Sequence, residues 1–355
     1  MRTISVIETD RYEVGGTLMA TIKDVARKAN TSPSTVSRFL NGGKVRKGTE
    51  AAILKAIDKL DYKVHPMARG LKTNKTYTVA YIVPDLTNMF FAQIARGAQE
   101  VFYHAGYSLM LFSVDNNPER EVEIIRSLLS RKVDGILLSS VIRSNDHLIE
   151  IINHEIPMVL IDRMPPDLEI DSVQVDNVNG AYQATEALID AGHRKIGIIC
   201  GPQDLLTGRE RYRGYLRAFE DYGLEVDDQL IKFGDFLVPS GYKQMCELLE
   251  QPERPTAVFV SNYYMCLGAI IALNEKNIKI PDDLSFVSFD DYELSKVYNP
   301  PLTAVEQPMI EIGEEASKIL IDRMNGNQTE KMVKRLKTNL IQRGSIKENW
   351  FVQVN

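Results

Sequence analysis

Cysteine is scarce in this chain. Of 355 residues only Cys200, Cys246 and Cys266 are cysteine, with no C-x-x-C pair and no Cys/His cluster at metal-ligand spacing. That excludes a disulfide framework and a zinc site, and it leaves buried, reduced thiols as the expectation. Catalytic signatures are missing too: there is no P-loop, no G-x-S-x-G and no H-E-x-x-H. No apolar run approaches the roughly 18 residues that a membrane span needs. The first 18 residues carry Glu8, Asp10, Arg11 and Glu13 and have no apolar centre, so they do not read as a secretory signal. A cytoplasmic protein with no cofactor, no metal and no membrane partner is expected. Residues 1–20 read as an N-terminal extension, with Met19 as the natural start.

Positive charge is also scarce, except in one place. Residues 21–76 hold 13 Lys/Arg against 4 Asp/Glu, a net +9 in a chain of net −6, so everything else together carries −15. A basic block on an acidic chain points to a polyanion bound by one segment only. Within it, Thr21 with Asp24 three residues on makes a capping box ahead of a first helix. Ser32 is a second N-cap, with Pro33 at the first helical position, where its missing N–H costs nothing. Val25, Ala26, Ala29, Val36 and Leu40 form a small apolar face, and Gly42-Gly43 ends the second helix. A third helix is predicted from about Gly48 to Leu60, closing the bundle with Ile53, Ile57 and Leu60.

Helix, tight turn, helix is the arrangement that sets a second helix into a DNA major groove. Pro33, Ser34 and Arg38 are then the candidates for base edges, Arg38 as a bidentate donor to guanine. Thr21, Thr31, Ser37, Lys44 and Lys47 suit phosphates, which position without reading sequence, and Thr35 is a further candidate DNA contact. A basic linker follows, with a short helical candidate from Pro66 to Leu71. Six residues including Gly70 cannot hold a helix alone in water, so its ordering should be coupled to binding. Ala68, Leu71 and Lys72 are its candidate DNA contacts, with Leu71 as an apolar wedge between base steps.

T-I-K-D-V-A, T-V-S-R-F-L-N, L-D-Y and H-P-M-A-R-G-L, all within residues 21–76, resemble the head and hinge of the lactose-repressor (LacI/GalR) family. The resemblance implies a homodimer on a near-palindromic operator, with Leu71 intercalating at its centre. It assigns residues 21–64 to a helix-turn-helix domain, 65–76 to a hinge and 77–355 to an effector-binding and dimerisation domain. Dimerisation is expected through the N-terminal lobe, near the 91–105 and 119–129 helices.

From Tyr77 onward, apolar strand candidates alternate with helical stretches, the pattern of parallel sheets wrapped by helices. Two such sets predict two lobes, about 77–176 with 308–335 and about 177–307 with 336–355. The fold class expected is a small all-α head plus a two-lobed α/β body. Ligands of open α/β sheets sit beyond the carboxyl ends of strands. There the sequence places Asn88, Phe90, Phe91, Asp162, Arg163, Arg211, Phe236, Asn262, Asp290 and Gln307. Amides, carboxylates and guanidinium groups suit neighbouring hydroxyls, and aromatic faces suit the C–H surfaces of a sugar ring. The body also resembles type I periplasmic binding proteins of the ribose-binding kind, and that resemblance places the same ten residues at sugar contacts. Two positions depart from it. Met89 replaces the usual proline, which should loosen the turn, and Tyr263 replaces an aspartate, which removes a hydrogen-bonding group near the next helix.

Together these readings describe a transcriptional repressor of carbohydrate-utilisation genes, gated by a small sugar. The purine class is disfavoured because Asn262 and the Asp162-Arg163 pair suit sugar hydroxyls better than base edges. One alternative is a catabolite-control regulator whose co-effector is a phosphorylated carrier protein; a sugar-modifying enzyme is the remote one. His193 is expected to satisfy carbonyls rather than to act in catalysis.

Overall fold

Thr21 starts the first helix, α1 (Ile22–Lys28), as its sequence context requires. Its hydroxyl accepts from the Asp24 N–H at 3.3 Å, and the Asp24 carboxylate accepts from the Thr21 N–H at 3.0 Å, so two otherwise unpaired donors are satisfied reciprocally. Asn30 turns the chain in the left-handed region (φ 51°), and the Thr31 N–H returns to the Ala26 carbonyl at 3.0 Å. Ser32 caps α2 (Pro33–Leu40) through the Thr35 N–H at 3.2 Å. The third helix, α3, runs Lys47–Leu60. Val25, Ala26, Ala29, Val36, Ile53 and Ala56 are buried between the three helices, with Phe39, Leu40, Ile57 and Leu60 packed around them.

This is a computed structural model, and it describes residues 13–14, 17–18, 20–40, 43–62, 75–142, 145–164, 169–327 and 329–348. Ala68, Leu71, Lys72 and the expected 66–71 helix lie outside the described residues. Upstream of the head, Glu13–Val14 pairs antiparallel with Thr17–Leu18. Two compact units divide at Thr76/Tyr77, and each is described by itself.

The second unit contains twelve described strands. In chain order they are β1 (Thr78–Val83), β2 (Ser108–Ser113), β3 (Gly135–Leu138), β4 (Met158–Ile161), β5 (Ser172–Val175), β6 (Ile196–Cys200), β7 (Ile231–Phe233), β8 (Ala257–Val260), β9 (Ser285–Phe289), β10 (Thr303–Glu306), β11 (Val333–Leu336) and β12 (Asn339–Ile341). One sheet has the order β11-β5-β4-β3-β1-β2, and the other β12-β10-β9-β8-β6-β7. All neighbours are parallel except β12, which runs antiparallel to β10. β3, β4, β6, β8 and β9 are buried along their whole length, which is why they read as largely apolar runs, with Ser285 and Ser288 of β9 as buried polar exceptions. In both sheets the order reverses beside the first strand, β1 or β6. A crevice opens at such a reversal beyond the strand carboxyl ends.

Helix α4 (Met89–His104) and the helix Met309–Met324 pack together across the first sheet. Their backbones touch: a Cβ on Gly97 would lie 2.2 Å from the Ile310 carbonyl oxygen, and one on Gly313 would lie 2.0 Å from that of Ile94. The chain therefore begins the second lobe after β5, returns to the first through the helix Met309–Met324 and β11, and crosses again between Leu336 and Asn339. Strands β5, β11 and β12 had no clear signal in the sequence. In β5 the cause is plain, since Ser172 and Gln174 are polar yet almost wholly buried.

His193 is fully buried at the foot of the second sheet, 2.8 Å from the Thr256 hydroxyl and 2.8 Å from the Ser285 hydroxyl. Its place is structural, and two hydroxyls face the ring because the starts of β8 and β9 converge on it. Burial, aided by Arg194, pushes its pKa down to about 4. The sign follows directly: between about pH 6.5 and 4 the unfolded chain takes up a proton that the folded protein refuses, so acidification destabilises. Urea midpoints should fall over that window by the equivalent of about 1–2 kcal/mol. His193→Gln should flatten the slope; an equally steep slope in the variant would assign the effect to other groups.

Candidate functional site

Three of the strand-end residues singled out above hold a backbone conformation that side chains rarely adopt. Asp162 has φ 67°, Phe236 φ 69° and Asp290 φ 79°. Non-glycine residues persist there only where their surroundings over-determine them, and such positions gather at functional sites. Asp162 follows β4, and its N–H donates to the Val173 carbonyl at 3.1 Å. Asp290 follows β9, and its N–H donates to the Val305 carbonyl at 2.9 Å. Each residue therefore stands at the carboxyl edge of its sheet.

The two guanidinium groups complete the cluster. Arg211, on the helix Leu206–Asp221, is 5% exposed. Its Nε–H donates to Asn177 Oδ1 at 2.9 Å, one Nη–H donates to the Ser261 carbonyl at 2.7 Å, and its plane lies 3.8 Å over the Phe289 ring. Burial lowers its pKa, while Asp290 and Asp162 act the other way. Arg163 is 4.0 Å from the Asp162 carboxylate and donates to the Ser140 carbonyl at 3.3 Å. Burial pushes the Asp162 carboxyl above the usual carboxylate range, against the pull of Arg163 and Arg211. Two acids and two bases, drawn from both lobes, thus share one desolvated space.

Asn262 and Gln307 are buried beside them. Asn262 caps the helix Tyr263–Glu275, accepting from the Met265 N–H at 3.1 Å and donating to the Phe236 carbonyl at 3.1 Å. Gln307 donates to the Asp290 carboxylate. The ring of Phe236 fits over Gly201, where an added Cβ would come within 2.0 Å of it. Among the described residues, Gln307 Oε1, Ser261 Oγ and Arg163 Nε are buried polar atoms with no partner. A buried polar atom left unpaired costs about 1–3 kcal/mol, so three in one cluster point to something that completes them.

On the first lobe, Asn88 caps α4 through the Phe90 N–H at 3.0 Å. That side-chain cap preserves the turn despite Met89, which is exposed. Phe90 and Phe91 sit edge to face, 5.1 Å apart, and belong to the same apolar cluster as Tyr292. They are more core than surface, at 7% and 4% exposed. The Tyr264 hydroxyl donates to the Thr87 carbonyl at 3.1 Å, joining the two lobes. The aspartate missing at 263 is replaced in effect by Asp290, whose carboxylate accepts from the Tyr263 N–H at 3.1 Å, while the Tyr263 ring packs edge-on to Tyr292 at 4.8 Å. The sequence reading missed Asn177, Ser261, Phe289 and Tyr292. None has a local signature, and each enters only through a contact with Arg211 or Asp290.

In the head, Pro33, Ser34 and Arg38 are all exposed, with Ser34 and Arg38 one helical turn apart on the same face. Thr21, Thr31, Thr35 and Ser37 are half-buried along its flanks, and Lys44, Arg46 and Lys47 are exposed beyond it. The face predicted for base edges is therefore free of the head's own core.

One buried group invites a catalytic reading. Ser140, His147 and Glu121 lie within hydrogen-bond reach of one another. However, Glu121 meets His147 at Nε2, the nitrogen that also faces the serine, so the acid does not orient the ring from behind as a relay requires.

The head, residues 21–64, matches the model for bacterial regulatory proteins of the lacI family, and residues 185–346 match a periplasmic binding protein-like domain. The transcriptional repressor CytR of Escherichia coli (strain K12) is 37% identical over 327 residues, covering 92% of this chain and 96% of that protein. Among solved structures, the complex of the transcriptional regulator CelR with cellobiose is similar at TM-score 0.72 and 32% identity, over 92% of this chain and 99% of that one. A LacI family regulator from Enterococcus faecium with bound ribose is similar at TM-score 0.69 and 28% identity, over 76% and 98%.

Proposed function

The chain belongs to the lacI family of bacterial regulatory proteins, DNA-binding transcriptional repressors rather than enzymes, and from that premise we propose that it represses carbohydrate-utilisation genes under the control of an uncharged small sugar. The observation that carries this reading is the charge balance of the inter-lobe cluster. Asp162 and Asp290 already answer Arg163 and Arg211. Glu210 is answered by Arg335 at 3.2 Å. A phosphate or carboxylate entering such a space would be an uncompensated buried charge, whereas hydroxyls match the unpartnered atoms of Gln307, Ser261 and Arg163. Relatives with ribose and cellobiose bound support the class of ligand.

The remaining assignments follow from the same reading. Residues 21–64 bind the operator, with Arg38 on a base edge and Thr21, Thr31, Thr35 and Ser37 on phosphates. Ala68, Leu71 and Lys72 form the hinge contacts, and residues 77–355 hold the effector and the dimer interface. Strand β2 is an edge whose Met110 and Leu111 are exposed, and Tyr103 on α4 is 73% exposed. An uncovered apolar edge invites association, and a two-fold partner there supports a homodimer on a near-palindromic site. Among the described residues no helix is long and apolar enough to cross a membrane, and a repressor works in the cytoplasm beside its DNA.

The test is thermal melting against neutral pentoses and hexoses and their phosphates. A ligand at about 100 times its dissociation constant stabilises by about 2.7 kcal/mol, a rise of several degrees. Neutral sugars should produce it. A rise only with sugar phosphates, or only with a phosphorylated carrier protein, overturns the proposal.

A further inference from the structure

Glu121 is a fully buried acid on the helix Pro118–Arg131, outside the cluster described above. Its carboxylate is turned on the loop that follows β3 and on His147 of the helix Asp146–Asn153. Oε1 accepts from the Ser140 hydroxyl at 2.6 Å and lies 3.1 Å from His147 Nε2, while Oε2 accepts from the Val141 N–H at 2.7 Å. The Ser140 hydroxyl in turn accepts from the Ile142 N–H at 3.1 Å. The carbonyl of that same Ser140 accepts from the Arg163 guanidinium at 3.3 Å. Glu121 also acts on Arg163 electrostatically.

We propose that Glu121, seated on His147, is a positioning residue: it clamps the 139–142 loop so that the Ser140 carbonyl aims Arg163 into the inter-lobe space, and thereby sets effector affinity without touching the effector. Such an arrangement resolves two oddities. A carboxylate without exposure needs several hydrogen bonds to persist, and here two of its three contacts serve a loop beside the site. The Arg163 Nε–H has no hydrogen-bond partner and meets the Asp162 carboxylate only at ion-pair distance, 4.0 Å, so the direction of the guanidinium depends on the Ser140 carbonyl as well as on Asp162, and a clamp on that carbonyl holds it.

The inference rests on the sugar reading for its affinity measurement but not for its spectroscopy. Glu121→Gln is nearly isosteric, and Ser140→Ala provides a second cut in the same chain of contacts. In nitrogen-15 spectra of the full-length protein, with the Arg163 side-chain signal assigned by its loss in Arg163→Lys, the wild type should give one restricted guanidinium resonance. Both variants should average or shift it at temperatures well below their melting transitions, an effect that a loss of global stability alone would not produce in the folded protein. D-ribose affinity by titration calorimetry should fall about tenfold in each. An unmoved Arg163 signal in both variants overturns the positioning role, whatever ribose does. Failure of the wild type to bind ribose counts against ribose as effector, while the guanidinium signal still decides the clamp.

Discussion

Replacing Arg211 with alanine is expected to cost the body about 3–5 kcal/mol and to abolish its response to sugar, while the head still recognises DNA. Arg211 is buried among Asp290, Asp162 and Glu210, and its removal strands carboxylates that water cannot reach. It also frees the Ser261 carbonyl and the Asn177 amide oxygen. The loss carries a pH signature. The Asp162 pKa is already raised by burial, so the folded protein holds that proton to higher pH than the unfolded chain does. Stability linked to this group is full below its unfolded value and is lost as pH rises through the folded one. Without Arg211 that window moves upward, so the variant should recover stability on mild acidification where the parent does not. Arg211→Lys should restore part of the stability but not the sugar response, since an ammonium cannot reproduce the fork or lie flat over Phe289. Denaturant unfolding at several pH values and operator affinity with and without sugar measure both effects. A sugar response persisting in Arg211→Ala would falsify the placement of the site.

Arg38→Ala is expected to remove discrimination at one base pair of each half-site, worth about 1–3 kcal/mol, with little loss on unrelated DNA. The side chain is exposed on the same face as Ser34, and the turn that follows is fitted to it. The Gly43 N–H bonds the Arg38 carbonyl at 2.8 Å, and an added Cβ on Gly43 would lie 2.6 Å from Arg38 Cγ. A lysine at position 47 serves as the control: Lys47→Ala should weaken all sequences alike and reduce the salt dependence. Equal weakening of all DNA by Arg38→Ala would move that residue to the phosphate class.

Much of the head was legible because its determinants are local. A capping box spans four residues, a proline at a helix start spans two, and a charge excess needs no partner at all. The two-lobed body was legible for a related reason, since strands buried on both faces must be apolar throughout. Strand β5 escaped because Ser172 and Gln174 break that rule, and β11 and β12 because each joins a sheet whose other strands lie far away in the chain.

The candidate site divides along the same line. The sequence by itself determined which residue types stand at the strand ends, and its motifs determined the family. Only the tertiary structure decided that Asp162 and Asp290 face the two arginines from opposite lobes, that Phe90 and Phe91 lie mostly in the core, and that Glu121 supports the loop behind Arg163. Burial and charge pairing depend on what surrounds a group in space, and in this fold the partners come from three crossings between lobes. Arg211 reaches 34 residues back to Asn177 and 50 residues forward to Ser261. No local pattern encodes such a meeting, because the energy that fixes it arises only when distant segments of the chain have folded together and excluded water from these groups.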